Sequence, residues 1–454
     1  MRNEMKNQIT EGIIWRQLLV FFFPIVVGTL FQQLYNTVDA IIVGRFVGKQ
    51  ALASVGGSAA VLSGLVIGFF TGLSSGASVI ISQYFGAKDV KNLHNSLHTA
   101  YAFSILLSLV FAAAGWVLTP WMLRITDTPA DVLADSVIYL RIYFLGMPAM
   151  LIYNIGSSVM RAVGDSRRPL IYLIICCFLN IVLDIALVLL FHMGIAGAAI
   201  ATVIAQAVSA VLVTMALMRV YDFLKLKLHC IRIDFPKLKA EFRIGLPGGL
   251  QACMYSISNI IIQTAVNQFG TDTAAAWAAF GKLDALFWTI CGAFGIAITT
   301  FSGQNYGAGL YQRVYRSVRI CLGMALGICG ILLTSLVIFC RPLYHIFTTD
   351  ANVVDIGVYM LVYILPSYIV YVFLEILSGA LRGMGDVMIP TLITLCGICF
   401  IRLPWILFVT PVRHEISTIL LSYPMTWCAS LLLLAPYYLH KKKLLKSHAS
   451  NSHR

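Results

Sequence analysis

The sequence predicts an all-α polytopic membrane protein: twelve transmembrane helices in two six-helix bundles related by a parallel internal repeat. Three observations lead there. Of 454 residues, 59% are hydrophobic and only 11% are charged, against about 25% charged in an ordinary soluble domain. The apolar residues gather in runs of about 20 or more, the length a bilayer crossing needs. Short motifs also recur in register between the two halves of the chain.

The first span, 17–44, follows a polar, mixed-charge stretch and is too long for the apolar core of a signal peptide. It is expected to stay in the protein. Spans two to six follow at 52–82, 93–120, 133–160, 169–191 and 195–219, separated by short segments. Residues 1–219 are therefore read as one lobe. The longest connection, 220–243, alternates in charge and reads as a cytoplasmic linker. A second lobe over 244–440 carries spans at 244–269, 273–304, 315–340, 355–381, 388–410 and 415–439. Residues 441–454 form a basic tail.

The net charge of +13 does not imply nucleic acid as a partner, because the basic residues lie in short loops between spans. With both termini cytoplasmic, 24 Lys and Arg fall on the inner side and 6 on the outer, the bias that sets membrane orientation. The 11 cysteines lie mostly within spans, and Cys396 and Cys399 form a CxxC with no second pair. They read as small apolar packing.

MRAVGDSRRP (160–169) matches LRGMGDVMIP (381–390), placing Arg161, Gly164, Asp165 and Pro169 on Arg382, Gly385, Asp386 and Pro390 at an offset of 221. ISQYFGA (81–87) matches SGQNYGA (302–308) at the same offset, and Pro24 matches Pro247 at 223. Each half holds an even number of spans, so both insert in one orientation. That is the plan of a two-lobed secondary transporter. An enzyme would need a catalytic constellation, and no P-loop, HExxH or GxSxG occurs.

Ionisable residues inside spans are costly and mark function by default. The strongest lies in QQLYNTVDAIIVG (32–44), where Asp39 follows Gln32, Tyr35 and Asn36 and shares a helix face with Tyr35. It stands roughly 32 Å along the helix from Leu18, in the outer half of the membrane. Span five carries Asn180 and Asp184 at i, i+4, and span six carries Thr202. These oxygen donors suit a hard cation such as Na⁺. Two neighbouring carboxylates in low dielectric equally suit a held proton. The repeat-related positions are Ile262, Ile401, Trp405 and Tyr423, so a single ion site in the first lobe is expected. In the second lobe Lys282, Asp284 and Glu375 are read as structural or cavity residues, and Arg402 as snorkelling to an interface. His94 and His98 stand at i, i+4 without an acidic partner and are not expected to hold a metal.

PIVVGTLFQQLYNTVDAIIVGRFVGKQALASVG, SQYFGAKD with GQNYGAG, and RAVGDSRRP with RGMGDVMIP resemble the MATE (multidrug and toxic compound extrusion) family, in particular its bacterial NorM and DinF type. The resemblance runs over roughly residues 13–440. It implies two bundles around a central cavity and export of organic, often cationic, compounds in exchange for Na⁺ or H⁺. It places the family's first-span acid on Asp39 with Tyr35, the fifth-span pair on Asn180 and Asp184, and the sixth-span threonine on Thr202. Where some Na⁺-coupled members carry a glutamate in span seven, this chain has Tyr255. The family's eighth-span basic and acidic pair falls on Lys282 and Asp284. The expectation is an efflux antiporter of a bacterial cytoplasmic membrane, working as a monomer, with small organic substrates and the lipid bilayer as partners. It has no cofactor beyond the coupling ion. A lipid-linked precursor flippase is the alternative, disfavoured by the scarcity of cationic residues within spans.

Overall fold

The structure is a computed structural model, and it describes residues 9–126, 128–221 and 223–451. Arg2, Lys6 and Arg454, which contribute to the charge bias, lie outside the described residues. Every regular element among the described residues is helical. In chain order these are α1 Ile14–Ile42, α2 Lys49–Gly56, α3 Ser58–Gly86, α4 Val90–Ile125, α5 Ala130–Leu145, α6 Met147–Ala162, α7 Arg167–Asp184, α8 Gly194–Arg219, α9 Phe235–Asn267 and α10 Thr271–Gly307. The remainder are α11 Tyr311–Ile338, α12 Cys340–His345, α13 Ala351–Ile364, α14 Tyr368–Gly383, α15 Met388–Gly397 and α16 Ile416–Asn451.

Ten of the described helical stretches are long and apolar enough to cross a membrane. An eleventh crossing is the pair α5 and α6, bent by 48° where Gly146 ends one helix and Pro148 opens the next. The twelfth expected span lies within α9. At 33 residues α9 is long enough, but glycines, serines and a proline dilute its apolar character. The helices are apolar nearly all round. Large side chains such as Phe191, Ile331, Phe400 and Leu432 stand exposed, a surface that lipid covers and water does not tolerate.

The chain divides into two compact units: residues 20–249, and residues 9–19 with 250 onward. The segment read as a linker belongs to the first unit. His94 Nε2 meets the Lys225 carbonyl at 2.9 Å, and the Lys227 N–H donates to His98 Nε2 at 3.0 Å. The Asp234 N–H donates to Thr99 Oγ1 at 3.1 Å. The histidine pair thus docks backbone. In the second unit Arg313 donates to the carbonyls of Ile9, Glu11 and Gly12 at 2.9–3.2 Å, tying residues 9–12 to α11.

Within the first unit α3 meets the start of α9 through glycines. A Cβ on Gly72 would strike the backbone of Gly248 and Gly249, and one on Gly76 the backbone of Glu241 and Gly245. Small residues let the helices approach backbone to backbone, as membrane helices do where burial from water supplies no driving force.

The repeat is visible in the backbone. Lys88 (φ 56°) and Gly309 (φ 72°), 221 apart, take the same left-handed turn, as do Gly164 (φ 93°) and Gly385 (φ 84°). Asp165 N–H donates to the Met160 carbonyl and Asp386 N–H to that of Leu381, both at 2.9 Å. Each aspartate then accepts from a tyrosine hydroxyl at 2.5 Å, Tyr221 in one unit and Tyr437 in the other. Each also pairs with a cation, Arg168 at 2.5 Å and Lys441 at 2.9 Å. The fifth helix of each half also loosens into π turns at matching positions, Ile185–Leu190 and Trp405–Val409.

Candidate functional site

Three helices of the first unit, α1, α7 and α8, build the site. α1 supplies Tyr35 and Asp39, one turn apart, with Asp39 8% exposed. α7 supplies Asn180 at 2% and Asp184 at 0%, the latter where the helix opens into its π turn. π turns displace side chains from the α register and recur at functional sites. α8 supplies Thr202, buried, whose hydroxyl donates to the Ala198 carbonyl at 3.1 Å and keeps its oxygen lone pairs free. A narrow cleft is lined by Tyr35, Asn180, Thr202, Gln206 and Ser209, with Cys176 and Cys177.

Asp39 and Asp184 lie within electrostatic reach of each other. Asp39 Oδ1, Asn180 Oδ1 and both Asp184 carboxyl oxygens are buried without a hydrogen-bond partner. Unpartnered acceptors of that kind cost a kilocalorie or more each. The cluster therefore lacks positive charge, and its donor set fits Na⁺ or a proton. Among the described residues no three of His, Cys, Asp and Glu group as a metal centre would.

Two further residues belong here. Gln206 lines the same cleft and lies beside the Tyr35 hydroxyl. Its i+4 spacing from Thr202 is a signal that sequence reading could have used. Tyr139 on α5 is buried within reach of Asp39, Tyr35 and Asp184, and nothing in DSVIYLRIYFL distinguishes it from a packing aromatic. Gln32 and Asn36 occupy an exposed face of α1 and do not join the buried set.

In the second unit the expected residues do not form one cluster. Lys282 is exposed, whereas Asp284 accepts from the Tyr368 hydroxyl at 2.5 Å and the Trp288 indole at 2.6 Å. Glu375 pairs with Arg382 at 3.2 Å, accepts from Tyr371 at 3.2 Å and fills the space beside Gly295. Tyr255 is half-buried near Arg402 and Glu375. Arg402 corrects the sequence reading. It does not snorkel: it is 2% exposed, with its guanidinium 4.5 Å from the Tyr423 ring centre. The π turn Ile398–Arg402 ends on this residue, and the aromatic packing around it holds the side chain inside.

Two repeated helical units with bilayer-length spans and an unpaired acidic cluster inside one of them define a membrane transporter. The MatE family model matches the chain twice, over residues 24–186 and 247–407. The two matches begin 223 residues apart and end 221 apart, the offsets of the internal motifs. "Probable multidrug resistance protein YoeA" of Bacillus subtilis (strain 168) is 30% identical over 435 residues, covering 94% of this chain and 93% of that one. "Probable multidrug resistance protein NorM" of Thermotoga maritima is 25% identical, covering 88% and 86%. A MOP superfamily transporter from Pyrococcus furiosus shares the fold, with a TM-score of 0.88 at 20% identity over 97% of this chain and 99% of that one. The chain belongs to the MatE family.

Proposed function

We propose that the protein is a secondary antiporter that exports small organic compounds from a bacterial cell across its cytoplasmic membrane, driven by inward movement of Na⁺ or H⁺. The observation that carries this reading is the buried set Asp39, Asn180 and Asp184, in which Asp39 Oδ1, Asn180 Oδ1 and both Asp184 carboxyl oxygens have no hydrogen-bond partner. A cation entering there offsets the cost of the unpaired acceptors and favours one conformation. Substrate favours the other, and coupling is the difference in affinity between them. A tenfold ion gradient supplies about 1.4 kcal/mol, and 100 mV adds about 2.3 kcal/mol per charge moved. The names of the relatives support multidrug export, and none of them supports the flippase alternative. The charge bias supports cytoplasmic termini, and the working unit is taken as a monomer.

The test is efflux of a cationic dye from proteoliposomes under imposed Na⁺ or H⁺ gradients. Wild type is expected to export only with one of the gradients applied, and Asp39→Asn to lose at least tenfold of that driven rate. A variant that pumps like wild type under every gradient removes Asp39 from the mechanism.

A further inference from the structure

The second unit carries, at positions related to the cation site by the repeat, a set of the opposite polarity. Thr202 and Gln206 correspond at an offset of 221 to Tyr423 and Trp427, and Asn180 to Ile401, the neighbour of Arg402. Around Asp39, Asn180 and Asp184 the orphans are mainly acceptors. At Arg402 and Trp427 they are donors: Arg402 Nε and Nη2 and Trp427 Nε1 are all buried without a hydrogen-bond partner. Arg402 is 2% exposed, as is Trp427. The carboxylates of this region are committed elsewhere: Asp284 to Tyr368 and Trp288, and Glu375 to Arg382 and Tyr371. The guanidinium instead lies over the Tyr423 ring. A ring face offsets only part of the cost of burying a cation and gives its N–H groups no acceptor.

Aromatic rings surround the pair. Trp427 lies 5.3 Å from Tyr368, 5.4 Å from Tyr371 and 5.5 Å from Tyr423, and Trp288 lies 4.6 Å from Tyr371. Tyr371 and Tyr423 are half-buried, so part of this surface is open to contact. A planar guanidinium with free N–H groups is the side chain best shaped for a carboxylate, and rings stack on rings.

We propose that the second unit recognises organic anions: Arg402 and the Trp427 indole take the carboxylate of an aromatic substrate, and Tyr371, Tyr423 and Trp288 take its ring. The inference rests on the reading of the chain as an exporter and narrows it. Aromatic acids and zwitterions become substrates in their own right, and the two halves divide the work, with the cation in the first and the substrate's anionic group in the second.

Equilibrium dialysis of the purified full-length protein in detergent, with 2-naphthoate and its neutral analogue 2-naphthamide as probes, tests this. Wild type is expected to bind naphthoate at least tenfold more tightly than naphthamide. Arg402→Gln is expected to reduce that ratio to within about twofold while leaving naphthamide affinity unchanged, which also shows that the variant is folded. Should Arg402→Gln not fold, Trp427→Phe keeps a ring and deletes one donor. It is expected to weaken naphthoate two- to fivefold and naphthamide not at all. Equal affinity for the two probes in wild type overturns the proposal, as do equal losses for both in the variants. Loss of the naphthoate preference when chloride is added to a chloride-free buffer overturns it too, by assigning Arg402 to an inorganic anion. The exporter reading fails separately: naphthoate selectivity in dialysis with no gradient-driven export of naphthoate or dye from proteoliposomes contradicts that reading and leaves the anion site standing.

Discussion

Asp39 and Asp184 are buried in mainly apolar helices, and Asp39 Oδ1 and both Asp184 carboxyl oxygens are not spent on the fold. Thr202 offers a test between the two ions proposed. A hydroxyl oxygen can ligate Na⁺ but carries no transferable proton at neutral pH. Thr202→Val keeps the shape and removes the oxygen. In transport assays it is expected to raise the half-saturating Na⁺ concentration more than tenfold in a Na⁺-coupled protein, and to shift the pH profile of a proton-coupled one by less than twofold in proton concentration. The core of this site was legible in the sequence because a carboxylate or amide inside an apolar run stands out by its cost. Tyr139 was not legible, since tyrosine is common in spans and only the fold brings it to Asp39. Arg402 was misread for a related reason: near a span end a long cationic side chain has water within reach, and only the packing of Tyr423 and its neighbours shows that it stays inside.

The helices themselves follow from length and apolarity, but their irregularities do not. The π turns after Asp184 and at Ile398–Arg402 sit in sequences that read as continuous helix. The contact of α3 with α9 depends on glycines whose role appears only once the partner backbone is in place. Gly76→Leu is expected to separate the helices and lower the midpoint of thermal unfolding in detergent by several degrees. Gly64→Ala, on the same helix with open space at its Cβ, is expected to leave it within about a degree. The start of α4 gives a pH-dependent counterpart. Asp89 caps the helix by accepting from the Asn92 N–H at 3.1 Å, and its bonds to Asn92 hold the carboxyl below the usual aspartate range. The folded form is thus favoured by ionised Asp89 above the ordinary carboxylate pKa, and this contribution is lost as pH falls through the depressed value. Asp89→Ala is expected to cost about 1 kcal/mol at neutral pH, and a smaller amount in acid, measured by thermal unfolding.

At the scale of the whole chain, one backbone plan is used twice with different chemistry. The left-handed turns at Gly164 and Gly385 and the tyrosine–aspartate pairs at Tyr221–Asp165 and Tyr437–Asp386 are kept in both halves. The buried acids are kept in one. Repeated turn motifs made the duplication readable, because left-handed turns and capped aspartates constrain sequence tightly. The division at residues 249 and 250 and the assignment of residues 9–19 to the second unit were not readable, because both fall inside α9 and α1 with no change in composition to mark them. The asymmetry predicts a single cation site per chain, and ion stoichiometry tests it most directly. Binding of ²²Na⁺ to the purified protein, with proton release on substrate addition measured in parallel, is expected to give one cation per chain in wild type and none in Asp39→Asn. Two cations per chain, or one that persists undiminished in Asp39→Asn, would contradict it.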